Sequence, residues 1–389
     1  MNKDSWIKGA LLSALTSLLL GCQTSAVPFS DSGVLLQESA VTLHWNNTWS
    51  SSAMLDQQEP VDLSPWMTDG VLRMDMQVDS LARGDLKLRL HCGDDCVRVA
   101  DITVGARELE GQGWQSVTVP LSCFARSDDT FTQVNIPFQA EGGGAGQVRF
   151  ANIRFESAAA HENTFGCVPP EQLPLTAEPL TANWALDWWM PRHEEKLQQA
   201  AQGGVELVLV GDSITHGWED AGRDVWQQHF GHINTLNLGF SGDRTENVLW
   251  RFEHGELDGL NPKAAVVMIG TNNVGHRHEL SDLTATGVSA IVDQLKARLP
   301  ETNILLLAIF PRGATEDDEL RQINQRTNTL LETLGEQDRV TYLNINQVFL
   351  TDDGQLSETV MPDLLHPNEH GYELWAQAMK PALLTLLER

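Results

Sequence analysis

Basic residues are scarce in this chain. Its 389 residues include 26 Lys and Arg against 53 Asp and Glu, a formal net charge of −27 at pH 7. So acidic a protein repels phosphate backbones and has few cations with which to displace counterions, which excludes nucleic acid as a partner. Long apolar runs are missing as well. The one candidate, in "MNKDSWIKGALLSALTSLLLGC", follows Lys3 and Lys8 and ends abruptly. It is too short for a spanning helix and reads as a secretory signal over residues 1–21. There is no internal repeat and no low-complexity tract. What is present is an ordinary globular composition, 41% hydrophobic and 20% charged, on a length that points to two domains.

The "LLGC" ending resembles the bacterial lipobox. The resemblance implies cleavage before Cys22 and acylation of its thiol, and Gln23 after it favours the outer membrane. The expectation is an exported protein, lipid-anchored in the bacterial cell envelope and attached to the membrane through that N-terminal lipid. Of five cysteines, four then remain: Cys92, Cys96, Cys123 and Cys167. An even number in an oxidising compartment suggests two disulfides, and four cysteines allow three pairings. The tight, Gly-containing "CGDDC" favours Cys92–Cys96 with Cys123–Cys167. "HCGDDC" lacks the second ligand pair that a metal site needs, so no metal is expected.

Residues 22–39 are polar and aperiodic, a tether. Over 40–156 the runs "AVTLHW", "GVLRMDMQVD", "DLKLRLHC", "WQSVTVP" and "QVRFANIRFE" alternate with period two, separated by turn-rich pieces such as "EGGGAG". With no long amphipathic helix among them, these strands predict an all-β jelly-roll sandwich. Four prolines mark 157–185 as a linker. From 186 to 389 the pattern is α/β, with strands expected at 205–210, 233–238, 264–269, 303–309 and 339–345 and helices at 223–230, 244–254, 279–299, 317–335 and 368–388. Strands alternating with helices predict a three-layer domain, a sheet of about five parallel strands covered on both faces.

In such sheets functional groups gather beyond the carboxyl ends of the strands. The first expected strand delivers "GDSIT" with Ser213, the second "NLGFSGDRT" with Gly239, and the third "IGTNN" with Asn272. The last helix is preceded by "MPDLLHPNEHGY", with Asp363 and His366. A serine hydroxyl is a poor nucleophile until a base takes its proton. His366 is placed to be that base, and Asp363, three residues earlier, to fix its tautomer. Backbone N–H groups of Ser213 and Gly239 and the Asn272 amide would then stabilise an oxyanion. Beside them, Asp212 is expected to hold its turn and His216 to line the site. Asp243 and Arg244 are expected to cap the next helix or brace the loop. Trp188, Trp189, Trp218 and Trp226 suit a sugar-stacking rim or packing, with packing the better fit for most of them.

Together, "GDSIT", "NLGFSGDRTENVLWR", "IGTNN" and "DLLHPNEHGY" resemble the four blocks of the SGNH, or GDSL-type, hydrolases. From "WWMPRHEEKL" onward the chain is similar to the branch containing the acetylhydrolase catalytic subunits for platelet-activating factor. The resemblance implies a flavodoxin-like sheet, Ser213, Asp363 and His366 as catalytic residues, Ser213, Gly239 and Asn272 as oxyanion donors, and no cofactor. Residues 35–156 resemble the galactose-binding-like sandwich of certain bacterial exo-β-glucanases, although here the sandwich precedes an esterase rather than following a glucosidase. The expected activity is removal of short acyl groups, acetyl foremost, from an acylated polysaccharide or oligosaccharide. Two alternatives stand beside it: a lipid or short-chain ester hydrolase, and a non-catalytic carbohydrate-binding surface protein. Nothing in the sequence speaks to oligomeric state.

Overall fold

The computed structural model describes residues 34–55, 59–81, 84–93, 96–124, 132–157, 164–165 and 171–388. Its first part is β-rich: β1 (Val34–Gln37), β2 (Val41–Leu55), β3 (Val61–Asp62), β4 (Gly70–Ser80), β5 (Gly84–Gly93), β6 (Cys96–Asp101), α1 (Thr103–Glu108), β7 (Trp114–Pro120), β8 (Gln133–Val134) and β9 (Ile136–Ser157). The alternation in β4 puts Leu72, Met74, Met76 and Val78 inside, fully buried, while Arg73, Asp75 and Gln77 stay partly exposed. Leu86, Leu88 and Leu90 of β5 point into the same core.

The organising strand is β9. On one side it pairs with β1 and β2. On the other its first half pairs with β5, from His91↔Ile136 to Gly84↔Gly144, and its second half with β4, from Ser80↔Gln147 to Gly70↔Ser157. The "EGGGAG" stretch, expected as a turn, therefore lies inside a strand. Its glycines serve a close approach rather than a reversal. A Cβ on Gly142 or Gly146 would collide with the Trp45 indole, whose Nε1 donates to the Gly143 carbonyl at 2.7 Å. Val34–Gln37, expected in the tether, join the sheet as β1. A Cys92–Cys96 disulfide, Cα–Cα 4.9 Å, ties β5 to β6. Cys123 is disulfide-bonded too; Cys167, like Cys22 and the signal segment, lies outside the described residues.

The second part contains α2 (Trp189–Ala201), β10 (Leu207–Gly211), α3 (Ser213–His216), α4 (Arg223–Phe230), β11 (Thr235–Gly239), α5 (Thr245–Glu253), β12 (Ala264–Met268), α6 (Thr271–Arg277), α7 (Ser281–Arg298), β13 (Asn303–Leu307), α8 (Glu319–Glu332), β14 (Val340–Leu343) and α9 (Glu369–Glu388). The five strands form a parallel sheet in the order β11-β10-β12-β13-β14. Every residue of β10 and β12 is buried, as expected of central parallel strands. Successive side chains go to opposite faces. Leu207 and Leu209 pack with Phe230 of α4 and Trp375 and Met379 of α9, whereas Val208 and Val210 pack with Phe252 of α5 and Val288 and Ile291 of α7. The order places β10 between its successor β11 and β12, so the ends of these three strands border one crevice.

The two parts touch through the linker. Asp85 of β5 accepts hydrogen bonds from the backbone N–H of Asn183 at 2.9 Å and from its Nδ2 at 2.7 Å. Arg107 bridges the Gly84 carbonyl, at 2.9 Å, and the Thr181 carbonyl, at 3.3 Å. Among the described residues no helix is long and apolar enough to cross a membrane.

Candidate active site

Strand β10 ends in a sharp strand-to-helix turn. A Cβ on Gly211 would collide with the Thr215 side chain and the Met268 carbonyl, so only glycine fits. Asp212 caps α3, its Oδ1 accepting from the Ile214 N–H at 3.0 Å. Ser213 is thereby the first residue of the helix, half-buried at the mouth of the crevice. Its Oγ lies 2.8 Å from His366 Nε2. On the far side of the ring, Nδ1 lies 2.6 Å from Asp363 Oδ2. Asp363 Oδ1 also accepts from the backbone N–H groups of Leu365 at 3.1 Å and His366 at 2.7 Å. Leu364 makes this possible by adopting a left-handed conformation, φ 57°, that turns His366 back toward Asp363. A carboxylate on Nδ1 holds the proton there and leaves the Nε2 lone pair facing the hydroxyl.

The surrounding electrostatics are uneven. Burial pushes Asp363 up, but the bonds from His366 and Leu365 outweigh it and hold its carboxyl below the usual range. Asp212 is fully buried, and burial pushes it up to about 6 against the Ile214 N–H and the charges of His366 and Arg312. Its Oδ2 has no hydrogen-bond partner. His216 is pushed down to about 4 by burial, with Arg192 adding to the effect. Held so far below its usual value it is neutral at pH 7, and its Nδ1 lies 3.0 Å from Ser241 Oγ.

The expected oxyanion donors divide. Asn272 is the second residue of α6, buried, and spends one Nδ2 hydrogen on the Asp243 carbonyl at 3.0 Å, leaving the other. The assignment of Gly239 is corrected. Its N–H donates to Asn237 Oδ1 at 2.8 Å and is not available to a substrate. The residue is glycine for packing: a Cβ would press on the backbone of Thr215 and His216 as α3 crosses β11. Asn237 secures that crossing by donating from Nδ2 to the Thr215 carbonyl at 3.0 Å. Beyond β11, Asp243 N–H donates to the Phe240 carbonyl at 3.1 Å, closing a turn in which Gly242 has φ 81°. The signal that could have separated the two glycines was "SGD", a turn triplet after the strand, against "NLG", still within its apolar period.

The other side chains singled out take separate places. Asp243 caps nothing. It is buried, accepting from Trp189 Nε1 at 2.6 Å and from Arg251 Nε at 2.9 Å, while Arg251 also pairs with Glu256. Arg244 occupies the cap position of α5, with its N–H donating to Asn247 Oδ1 at 2.9 Å. Trp189, Trp218 and Trp226 are core residues, whereas Trp188 is only half-buried and stacks with Trp184. Arg312, which no sequence motif singles out, donates to the Thr271 carbonyl at 3.0 Å and braces the start of α6 on which Asn272 sits.

A hydroxyl, an imidazole and a carboxylate in series at the carboxyl edge of a parallel sheet have the geometry of a serine-hydrolase site. Residues 209–374 match the GDSL-like lipase/acylhydrolase family. Residues 14–155 match the galactose-binding domain-like family. A platelet-activating factor acetylhydrolase IB subunit alpha1 from Pongo abelii is 35% identical over 200 residues, 51% of this chain and 84% of that protein. The alpha2 subunit from Mus musculus is 33% identical over 220 residues, 56% of this chain and 92% of that protein. The chain belongs to the GDSL-like lipase/acylhydrolase family. Among solved structures it is similar to a GDSL-like lipase from Bacteroides thetaiotaomicron, at 20% identity and TM-score 0.42 over 50% of this chain and 97% of that one. It is also similar to an acetylxylan esterase from Geobacillus stearothermophilus, at 19% identity and TM-score 0.39 over 48% of this chain and 95% of that one.

Proposed function

We propose that this protein is an exported serine esterase that removes short acyl groups, acetyl foremost, from carbohydrate hydroxyls. The observation that carries the reading is the unbroken series Ser213 Oγ–His366 Nε2–Asp363, at 2.8 and 2.6 Å. In this reading Ser213 Oγ attacks the ester carbonyl carbon as His366 Nε2 takes its proton. The carbonyl oxygen, now an anion, is met by the N–H of Ser213, the free Nδ2 hydrogen of Asn272 and the N–H of Gly242, which replaces Gly239 in that role. The intermediate collapses with return of the proton from His366 to the departing sugar oxygen, leaving an acyl-serine. Water, deprotonated by His366, attacks that ester and releases the carboxylic acid and free Ser213. These steps use no metal or organic cofactor.

Two observations support a solvated polymer as substrate. The His366 and Asp363 side chains are 43% and 56% exposed, so the site opens widely to solvent. The preceding domain matches a family described as galactose-binding domain-like. A second reading, an acetyl ester of a phospholipid, is favoured by the names of the curated relatives. Acetate release from acetylated xylan, acetylated mannan and an acetylated phospholipid distinguishes them, with soluble protein from residue 23 onward and Ser213→Ala as blank. Release from a polysaccharide alone is expected; release from the lipid alone overturns the carbohydrate assignment and leaves the chemistry standing. The reading also places the protein on the bacterial envelope, outer membrane foremost, through acylated Cys22.

A further inference from the structure

The wall beside Ser213 is built partly from outside the hydrolase segment that the family match covers. Trp184 belongs to the linker and Trp188 to the start of α2, both ahead of residue 209. Their rings stack with centroids 6.2 Å apart and 26° between planes, and Trp188 Nε1 locks the pair by donating to the Trp184 carbonyl at 3.0 Å. Trp188 in turn faces the His216 ring at 6.1 Å. Trp184 lies against Gly242 so closely that a Cβ there would enter its ring. His216 is one helical turn on from Ser213, and Gly242 belongs to the turn whose Asp243 carbonyl Asn272 holds. The two indoles therefore border the space beside the nucleophile. Trp184 is 36% exposed, unlike Trp189, Trp218 and Trp226, which are spent in the core.

The residue immediately before Trp184 is the one that the sandwich grips. Asn183 gives both its backbone N–H and its Nδ2 to the two oxygens of Asp85, and Arg107 holds the Thr181 carbonyl two residues earlier. Burial, with Asp101 adding to it, pushes the Asp85 carboxyl up, consistent with a group enclosed between the two domains. The sandwich thus fixes the backbone from which Trp184 reaches the hydrolase loop.

We infer that Trp184, with Trp188, forms the subsite for the leaving alcohol, that it takes the C–H face of a pyranose ring, and that Asp85 positions it through Asn183. A pyranose offers one apolar face to an indole while its hydroxyls stay in water, whereas an acylated glycerol chain offers no matching flat face. The inference rests on the proposed attack by Ser213 and adds to it the class of alcohol and a task for the sandwich. Asp85 is in this sense a positioning residue, remote from the reacting atoms.

The test compares kcat and KM of the chain from residue 23 onward on an acetylated xylo-oligosaccharide and on triacetin, which has no ring. Trp184→Ala should raise KM for the sugar ester about tenfold more than for triacetin, because the packing lost on Gly242 acts on both esters alike whereas the ring face is lost only to the sugar. Trp184→Phe should recover most of the loss, which separates the effect from misfolding. Asp85→Ala should shift discrimination the same way by a smaller factor, Asp85→Asn less, and the double variant Asp85→Ala/Trp184→Ala should be no worse than Trp184→Ala alone. Equal losses on both esters, or a wild-type enzyme with no preference for the sugar ester, overturn the subsite. Additive effects of Asp85→Ala and Trp184→Ala overturn the positioning role. Retained turnover in Ser213→Ala brings down the esterase reading itself, whatever Trp184→Ala does.

Discussion

Replacing Asp212 by Asn should make the protein more stable in base and not in acid. The Asp212 carboxyl is fully buried, with Oδ1 bonded to the Ile214 N–H and Oδ2 bonded to nothing. Burial raises its value in the folded protein from 3.8 to about 6. A carboxyl raised on folding favours the neutral form, so its contribution is fully present below the unfolded value and is lost as pH rises through about 6. A rise of that size corresponds to about 3 kcal/mol of lost stability once the group is ionised in both states. Asn keeps the acceptor for Ile214 and removes the charge. Its new amide hydrogens cost something in the buried site, but equally at every pH. The pH dependence of the difference between variant and wild type is therefore the readout. Between about pH 4.5 and about pH 8 that difference should move by about 2 kcal/mol in favour of Asn. Urea unfolding followed by tryptophan fluorescence at the two pH values measures it, because Trp218 and Trp375 report on the hydrolase core. A difference that stays constant between the two would show that Asp212 is not held neutral by burial, and the reasoning fails.

Other expected outcomes are simpler. Ser213→Ala and His366→Ala should each lower kcat by roughly four to six powers of ten, read by acetate release, and near-normal turnover in either removes the proposed attack. Asn272→Ala should cost about 10²–10³ in kcat; a loss below about threefold takes its amide out of the oxyanion site. Gly239→Ala should lower stability by about 1–3 kcal/mol through the collision with α3. Gly242→Ala should lower stability as well, through its φ of 81° and the Trp184 ring, and also lower kcat by at least about tenfold; full kcat in Gly242→Ala beside a lost kcat in folded Gly239→Ala would restore Gly239 as the donor. Cys22→Ser should leave the protein out of the membrane fraction after cell breakage; pelleting with membrane refutes the lipid anchor.

The α/β half was legible because its signals are local. Five apolar runs, each ended by a turn, fall within two residues of β10 to β14, and Ser213, Asp363 and His366 could be singled out from short motifs that the fold brings to one place. What was not legible depends on contacts between distant residues. Asn237 captures the Gly239 N–H from two residues away, but the orientation of its amide is fixed by a distant partner that "NLGFSGD" does not reveal, the Thr215 carbonyl at the end of α3. The short helix α6 was missed because "TNNVGHR" has no apolar period; it is held by Arg312 from another loop. "EGGGAG" has turn composition, and only the indole of Trp45, from a strand near the start of the domain, makes a strand of it. Trp184 looked like linker because the group that anchors it, Asp85, lies in the other domain.

The long strand β9 has a consequence for how the chain comes into being. It spans Ile136–Ser157, the last strand of its domain to be synthesised, and β1, β2, β4 and β5 all pair with it. Before it emerges, these four strands have only β7 and β6 to pair with among themselves and their neighbours, as β4–β7 and β5–β6. A polypeptide made from its N-terminus can form those two ribbons early, but the core between them closes only when residue 157 is free. Until then β1, β2, β4 and β5 lack their common partner, and the arrival of one strand supplies all four at once.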